Sequence, residues 1–158
     1  MATVGYDVHV YNARAALCVV PAMSRDGKTP TVNIEMARAS SRGNEFLWDE
    51  KLIVQVTRAE LPDVLAVVLG YLPGCEFNYH GERRNKGYRL SQTPSGLIVE
   101  LFSGTWGRQC VAVASAERFS LATALFRQLQ RQHGGISGEV LSRMHDSIYR
   151  PTRISTGG

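Results

Sequence analysis

The chain has 158 residues, 44% of them hydrophobic and 20% charged, with a formal net charge of +4. That is the balance of one globular domain with enough apolar material for a core, and no apolar run approaches the roughly 20 residues needed to span a bilayer. The first ten residues lack a basic segment followed by an apolar one, and lack the Arg- and Ser-rich character of a transit segment, so an intracellular location, cytoplasm or nucleoid, is expected.

Residues 7–23 read as a strand pair or a bent strand, with Val8 and Val10 alternating with His9 and Tyr11 and a second apolar alternation after Asn12. Pro21 has no amide hydrogen and is expected to end the pairing. Asp26-Gly27, within the polar stretch 24–30, is a hairpin signal. Val32, Ile34 and Met36 then alternate with Asn33 and Glu35 as a half-buried strand. Residues 39–44 form a polar turn, and residues 45–48 and 52–56 read as two more short strands. Thr57 stands three residues before Glu60, a capping-box pattern, and Leu61, Val64, Leu65 and Val68 follow at helical spacing. Pro62 is too deep for a helix that begins at Thr57, so the helix starts later or bends. Gly70 or Gly74 closes this half.

From residue 75 the pattern repeats. Cys75, Phe77 and Tyr79 share one face of a strand, and Glu76, Asn78 and His80 the other. Residues 81–87 are a basic loop. Residues 88–92 pair with 97–102 across Thr93-Pro94-Ser95-Gly96, and 108–114 form the last strand. Ser115 is the expected N-cap of a helix with an apolar stripe of Phe119, Ala122, Leu125, Phe126 and Leu129, stopped by Gly134-Gly135. The two halves, about 7–70 and 75–134, thus repeat one arrangement of several strands followed by a helix. Residues 1–135 read as one domain. Residues 136–158 read as an extension, a short helix with Val140, Leu141, Met144 and Ile148 on one side and then a disordered tail.

The search for chemistry finds little. There is no phosphate-cradling Gly-Lys-Ser/Thr motif and no Gly-x-Ser-x-Gly elbow. The three cysteines, Cys18, Cys75 and Cys110, have no zinc-ligand spacing and lie in apolar strand-like runs, so buried, inert thiols are expected. Glu35, Glu76 and Glu100 sit on separate strands with nothing in the sequence to gather them around a magnesium ion. No cofactor and no catalytic role are expected. Aromatic and basic residues interleaved on strands point instead to a surface for polyanions.

Several segments carry a family likeness. VYNARAALCVVP (10–21), FLWDEKLIVQVTRAEL (46–61), CEFNYHG (75–81), Lys86 with the following YRL, and VAVASAERF (111–119) resemble, in order and spacing, the Whirly proteins that bind single-stranded DNA. The resemblance spans roughly residues 6–130. It implies an α+β fold of two antiparallel four-stranded β-sheets each followed by an α-helix (ββββα repeated). It also implies a homotetramer with central helices, and single-stranded DNA held over the sheets and between sheet edges with little regard to sequence, in DNA maintenance, repair or transcription. Related kinetoplastid proteins use the fold on RNA, so RNA binding or annealing is the first alternative. A protein-interaction module with no affinity for nucleic acid is the second. The family's Lys-Gly-Lys-Ala-Ala-Leu segment, tied to DNA binding and higher assembly, is matched here by Ala15-Ala16-Leu17 and the charge of Arg14, but not by Asn12 and Ala13.

Aromatic rings stack on any base and cations track phosphates. The candidate binding residues are therefore Tyr11, Phe46, Trp48, Tyr79, Tyr88 and Trp106, with Arg14, Lys28, Arg38, Lys51, Arg83, Arg84, Lys86, Arg89 and Arg108. Phe77 reads as core. Tyr11 and Tyr79 fit a core edge as well as a stacking platform, and Trp106, in a glycine-rich turn, fits either a ligand contact or a subunit interface.

Overall fold

In the computed structural model, which describes residues 8–43 and 45–150, two antiparallel four-stranded sheets stand in sequence, each followed by a helix. The first sheet holds β1 (Val8–Tyr11), β2 (Ala15–Met23), β3 (Pro30–Arg38) and β4 (Leu52–Gln55) in that order. The second holds β5 (Gly74–His80), β6 (Lys86–Thr93), β7 (Gly96–Ser103) and β8 (Gly107–Val113). Helix α1 (Leu61–Val68) follows the first sheet, and α2 (Ser115–Gln132) and α3 (Gly138–Tyr149) follow the second.

The apolar alternation decides which face of each sheet turns inward. Val8, Val19, Ile34 and Val54 form one inner row of the first sheet, and Val10, Leu17, Met36 and Leu52 the next. Tyr88 with Leu101, and Leu90 with Val99 and Val111, do the same in the second. Both inner faces and the helices share one core. The helices are exchanged between repeats: α1 packs on β5 and β6, whereas α2 packs on β1, β2 and β3 and against α1. Polar side chains fix these dockings at backbone carbonyls. The buried Gln128 donates to the Thr31 carbonyl at 2.6 Å, Gln132 to that of Pro30 at 2.8 Å, and Arg118 to that of Val68 at 2.7 Å. Arg118 thereby satisfies the end of α1, where a cation complements the helix dipole.

Several local expectations are met. Thr57 and Glu60 form a reciprocal capping box, with bonds of 3.1 and 3.2 Å, and α1 begins late enough to place Pro62 in its first turn. Gly70, at φ +88°, ends it: its amide donates to the Val67 carbonyl and that of Tyr71 to Ala66, the Schellman pattern that needs a left-handed residue.

Other expectations are corrected. β2 runs through Pro21 to Met23. The Asn12 amide donates to the Ala15 carbonyl, so odd-numbered residues of β2 turn their backbone groups toward β1. The described part of β1 ends opposite Val19, so Pro21 takes no amide hydrogen away from the β2–β3 ladder. Residues 45–48 are not a strand: Phe46 makes one bridge to Ala39 and Trp48–Glu50 is a 3-10 turn. Ala114, not Ser115, is the N-cap of α2, because β8 ends at Val113 and Ala114 is already the extended residue. Phe119 is 77% exposed, since α2 buries the arc of Leu121, Ala124, Leu125, Gln128 and Leu129. On α3 only Leu141 of the expected four is buried. His145 bonded to the Pro62 carbonyl at 2.9 Å, Asp146 to Tyr71 at 2.9 Å and Tyr149 to Asp63 set the rotation of the helix, leaving Val140, Met144 and Ile148 outside. The tail after residue 150 lies outside the described residues.

The regular face alternation expected for residues 75–80 fails at a bulge between Phe77 and His80, where Tyr79 takes φ +65°. The bulge turns His80 inward, and its Nε2 lies 2.9 Å from Glu60 Oε2. Glu60 Oε1 accepts from the Thr57 amide and, at 2.8 Å, from the Tyr88 hydroxyl. Burial alone would raise the Glu60 carboxyl, but hydrogen bonds from His80, Thr57 and Tyr88 outweigh it and hold the carboxyl below its ordinary value of 4.5. A carboxyl depressed in the folded state stabilises the fold fully above its unfolded value, and that contribution is lost as pH falls through the folded one. Glu60→Gln is expected to lower the unfolding free energy by about 1–3 kcal/mol near neutral pH and to flatten the loss of stability toward acid. Urea denaturation between neutral and acid pH measures both.

Candidate nucleic-acid interface

With both inner faces in the core, the outer faces and the seam between the sheets are left to solvent. The seam is closed by side chains that cross it. Asn12 donates to the Cys110 carbonyl at 3.3 Å, Trp106 Nε1 to the Glu50 carbonyl at 3.0 Å, and Lys86 Nζ to the Ile53 carbonyl at 3.5 Å. Arg38, at the end of β3, lays its guanidinium 4.6 Å from the centre of the Trp106 ring. This cation–π contact joins the end of the first sheet to the β7–β8 turn.

Beside Arg38 an open groove of about 730 Å³ runs between the β1–β2 turn and the outer face of β8, and Arg14, Arg38 and Arg108 line it. Arg38 is also a wall of a second groove of about 330 Å³ floored by Trp106 and Leu47. Arg108 lies 4.4 Å from the centre of the Phe102 ring and is paired with Glu100. The Phe102 ring rests across Gly87, where any Cβ would come within 2.5 Å of it. Next in the chain to Asn12 of the groove wall, Tyr11 is 72% exposed, and its ring stands 6.0 Å from that of Phe46.

The structure therefore gathers Tyr11, Arg14, Arg38, Phe46, Trp106 and Arg108. Trp48, 38% exposed, belongs to the 3-10 turn that meets Trp106 through Glu50. Arg83 and Arg84 are exposed on the β5–β6 loop, which is tied to the β7–β8 turn by the Gly104 amide bonded to the Asn85 carbonyl. Lys86 is half-buried at the start of β6. Arg89 is exposed on the outer face but paired in register with Glu76 and Glu100, which offset its charge. Tyr79 projects from the bulge, 80% exposed. Lys28 lies in the β2–β3 turn, at the opposite end of β3 from Arg38, and does not join the cluster. Lys51 is bonded to Glu35 at 2.6 Å, and this bond raises its pKa.

Tyr88 is a correction. It is fully buried on the inner face, and burial, reinforced by Glu60, drives its hydroxyl far above the ordinary range. No base can reach it. Trp106 is half-buried, and its hydrogen-bond partner is the other half of its own chain. Phe77 is partly buried and packs against the core, its ring 5.5 Å from that of Tyr88. Of the thiols, Cys18 is buried and burial pushes Cys75 up to about 11, but Cys110 is exposed in the groove wall, against the expectation of three buried thiols. Phe102 was missed as a site residue. Its signal was the outward register shared with Arg108, which is visible only once the β7–β8 pairing is known.

The same architecture occurs in solved structures. That of the plant transcriptional regulator PBF-2 matches with a TM-score of 0.64 at 17% identity, covering 96% of this chain and 100% of that one. That of WHY3 from Arabidopsis thaliana matches with a TM-score of 0.61 at 19% identity, covering 94% and 97%. Both are plant Whirly proteins. The chain has the Whirly fold. No family model and no curated protein matches its sequence, so the likeness lies in the architecture. Within this Whirly fold Gly107 is the position on which the seam turns. It takes φ +91°, and a Cβ there would come within 2.6 Å of the Arg38 guanidinium. Gly107→Ala is expected to cost about 1–2 kcal/mol for the left-handed backbone and to push Arg38 off Trp106, which a lowered melting temperature and a shifted tryptophan emission would register.

Proposed function

We propose that this protein binds single-stranded DNA, largely without regard to sequence, as a homotetramer and without catalysis, in DNA maintenance, repair or transcription. The observation that carries the reading is the seam groove. Three guanidiniums, Arg14, Arg38 and Arg108, line it, two of them lie on aromatic faces, and Tyr11, the chain neighbour of its Asn12, has an exposed ring. Rings offer stacking worth roughly 1–3 kcal/mol per base on any sequence, and the cations meet the phosphates between stacked bases. Duplex DNA hides its base faces, so the surface favours single strands. The Whirly fold, found in a plant transcriptional regulator, supports the same reading. Among the described residues no three His, Cys, Asp or Glu side chains gather as a metal site. Two of the carboxylates on the strands, Glu35 and Glu100, are held by Lys51 and Arg108.

The tetramer is supported by apolar side chains that the subunit leaves outside: Phe119 on α2, Leu69 at the end of α1, and Ile148 on α3. Light scattering is expected to give the mass of four chains; a monomer would contradict this part of the proposal.

Binding is read by fluorescence anisotropy with a labelled strand of about 30 nucleotides, long enough for several stacking sites, as DNA, as RNA and as duplex DNA over a salt series. The expected order is single-stranded DNA well ahead of duplex and ahead of RNA. The triple replacement of Arg14, Arg38 and Arg108 by Ala is expected to weaken binding and to reduce the salt slope by about 2, near 0.7 for each lost phosphate contact. Lys28→Ala, at the far end of the sheet, is expected to change little. Tighter binding to RNA would move the assignment to RNA, where the 2′-hydroxyl decides, and no binding to any strand would remove the nucleic-acid reading.

A further inference from the structure

Beyond the arginine groove, a second groove of about 560 Å³ is lined by Arg25 of the β2–β3 turn, by Ile53 and Gln55 of β4, and by Glu82 and Lys86 at the two ends of the β5–β6 loop. One ion pair joins its two halves: Arg25 Nη2 lies 3.3 Å from Glu82 Oε1, with the side chains 81% and 79% exposed. We propose that this groove is a second contact site for the phosphodiester backbone of the bound strand, with Arg25 as its cation and Glu82 as an internal competitor that phosphate must displace. The inference rests on the nucleic-acid reading above and adds to it a binding residue, Arg25, and a carboxylate that limits its use.

The charges of the groove carry the argument. Glu82 is the one carboxylate among the residues that line it. Lys86 Nζ lies 3.5 Å from the Ile53 carbonyl, and among the described residues no carboxylate pairs with it. Arg25 is displayed by a turn closed by its own bonds. The Ser24 amide donates to the Thr29 carbonyl and the Gly27 amide to that of Ser24, each at 2.8 Å. The neighbouring Asp26 is engaged inside the turn, accepting from the Ser24 hydroxyl at 2.6 Å and from the Lys28 amide at 3.0 Å. Glu82 is therefore the carboxylate that meets Arg25. Lys28, in the same turn, does not line the groove.

An ion pair this exposed holds weakly, because water solvates both partners well. A phosphate that displaces the carboxylate gains the guanidinium and releases a condensed counterion. The β5–β6 loop also gives a strand a basic path to the site. Arg83 and Arg84 are exposed on it, and the Gly104 amide, bonded to the Asn85 carbonyl at 3.3 Å, ties it to the turn that carries Trp106. A strand leaving Arg38 and Trp106 along this loop meets cations as far as Lys86 and Arg25, and Glu82 lies on that loop.

The test is anisotropy with a labelled oligothymidine of about 30 nucleotides over a salt series. Arg25→Ala is expected to weaken binding and to lower the salt slope by up to about 0.7, one phosphate contact. Glu82→Gln keeps the shape, removes the charge and is expected to tighten binding about threefold, the scale of an exposed ion pair. The double variant is expected to bind like Arg25→Ala alone, since the gain acts through Arg25. Glu139→Gln removes the same charge from an equally exposed pair with Arg143 on α3 and is expected to leave affinity unchanged. An Arg25→Ala protein with unaltered affinity and slope would overturn the second site while leaving the nucleic-acid reading in place. So would a Glu82→Gln gain that is absent, that persists without Arg25, or that Glu139→Gln reproduces. No binding to any strand by the unaltered protein would overturn both.

Discussion

The carboxylate of Glu60 is the constraint on which the two halves of this molecule depend. It sits at the point where the first repeat hands over to its helix, and closes the capping box with Thr57. The same two oxygens hold the Tyr88 hydroxyl of β6 and the His80 ring of β5. One side chain thus satisfies donors from a helix start and from two strands of the other sheet. In a partly desolvated site the charged carboxylate is tolerable only because each of these partners is present. The bulge in β5 follows from this arrangement: His80 is drawn inward, and Tyr79, one residue earlier, is turned out to solvent in a left-handed conformation.

Exchange of helices between repeats explains why the two halves share one core. Each sheet has an apolar face that must be covered. α1 covers β5 and β6 while α2 covers β1 to β3, so neither half can bury its inner face by itself. The dockings are set by amide and guanidinium groups of α2 at carbonyls that the strands and α1 leave open. Apolar periodicity alone would have rotated α2 toward Phe119 and α3 toward Ile148. Specific polar bonds choose other faces and leave those two side chains outside.

The surface charge is organised by pairing as much as by excess. Glu35 holds Lys51 and Glu100 holds Arg108, while Arg89 is flanked in register by two glutamates. A net charge of +4 therefore understates the contrast between positions: locally offset cations on the sheet faces, and the exposed guanidinium of Arg14 beside Arg38 in the seam. Planar guanidiniums on Trp106 and Phe102 are held in place without carboxylates having to fix them all, so they meet an anion already oriented.

Much was legible in the sequence because it rests on local rules. Strand alternation, the Asp26-Gly27 hairpin, the Thr57–Glu60 capping box, the Thr93–Gly96 turn and the glycine that ends α1 act within a few residues of chain, and the twofold repeat of strands and helix follows from their order. The segments resembling Whirly proteins carried that order to the right fold. Tertiary structure alone decided what depends on partners distant in the chain. It buried Tyr88, since its inner row and the distant Glu60 are what surround it, and it tucked Trp106 under Arg38 and against Glu50. It exposed Cys110 and set Lys28 apart from the other cations. It also brought Arg14 and Arg108, far apart in sequence, to one groove. Periodicity assigns a side chain to a face, but only the packing of two sheets against exchanged helices determines which outward residues meet across the seam.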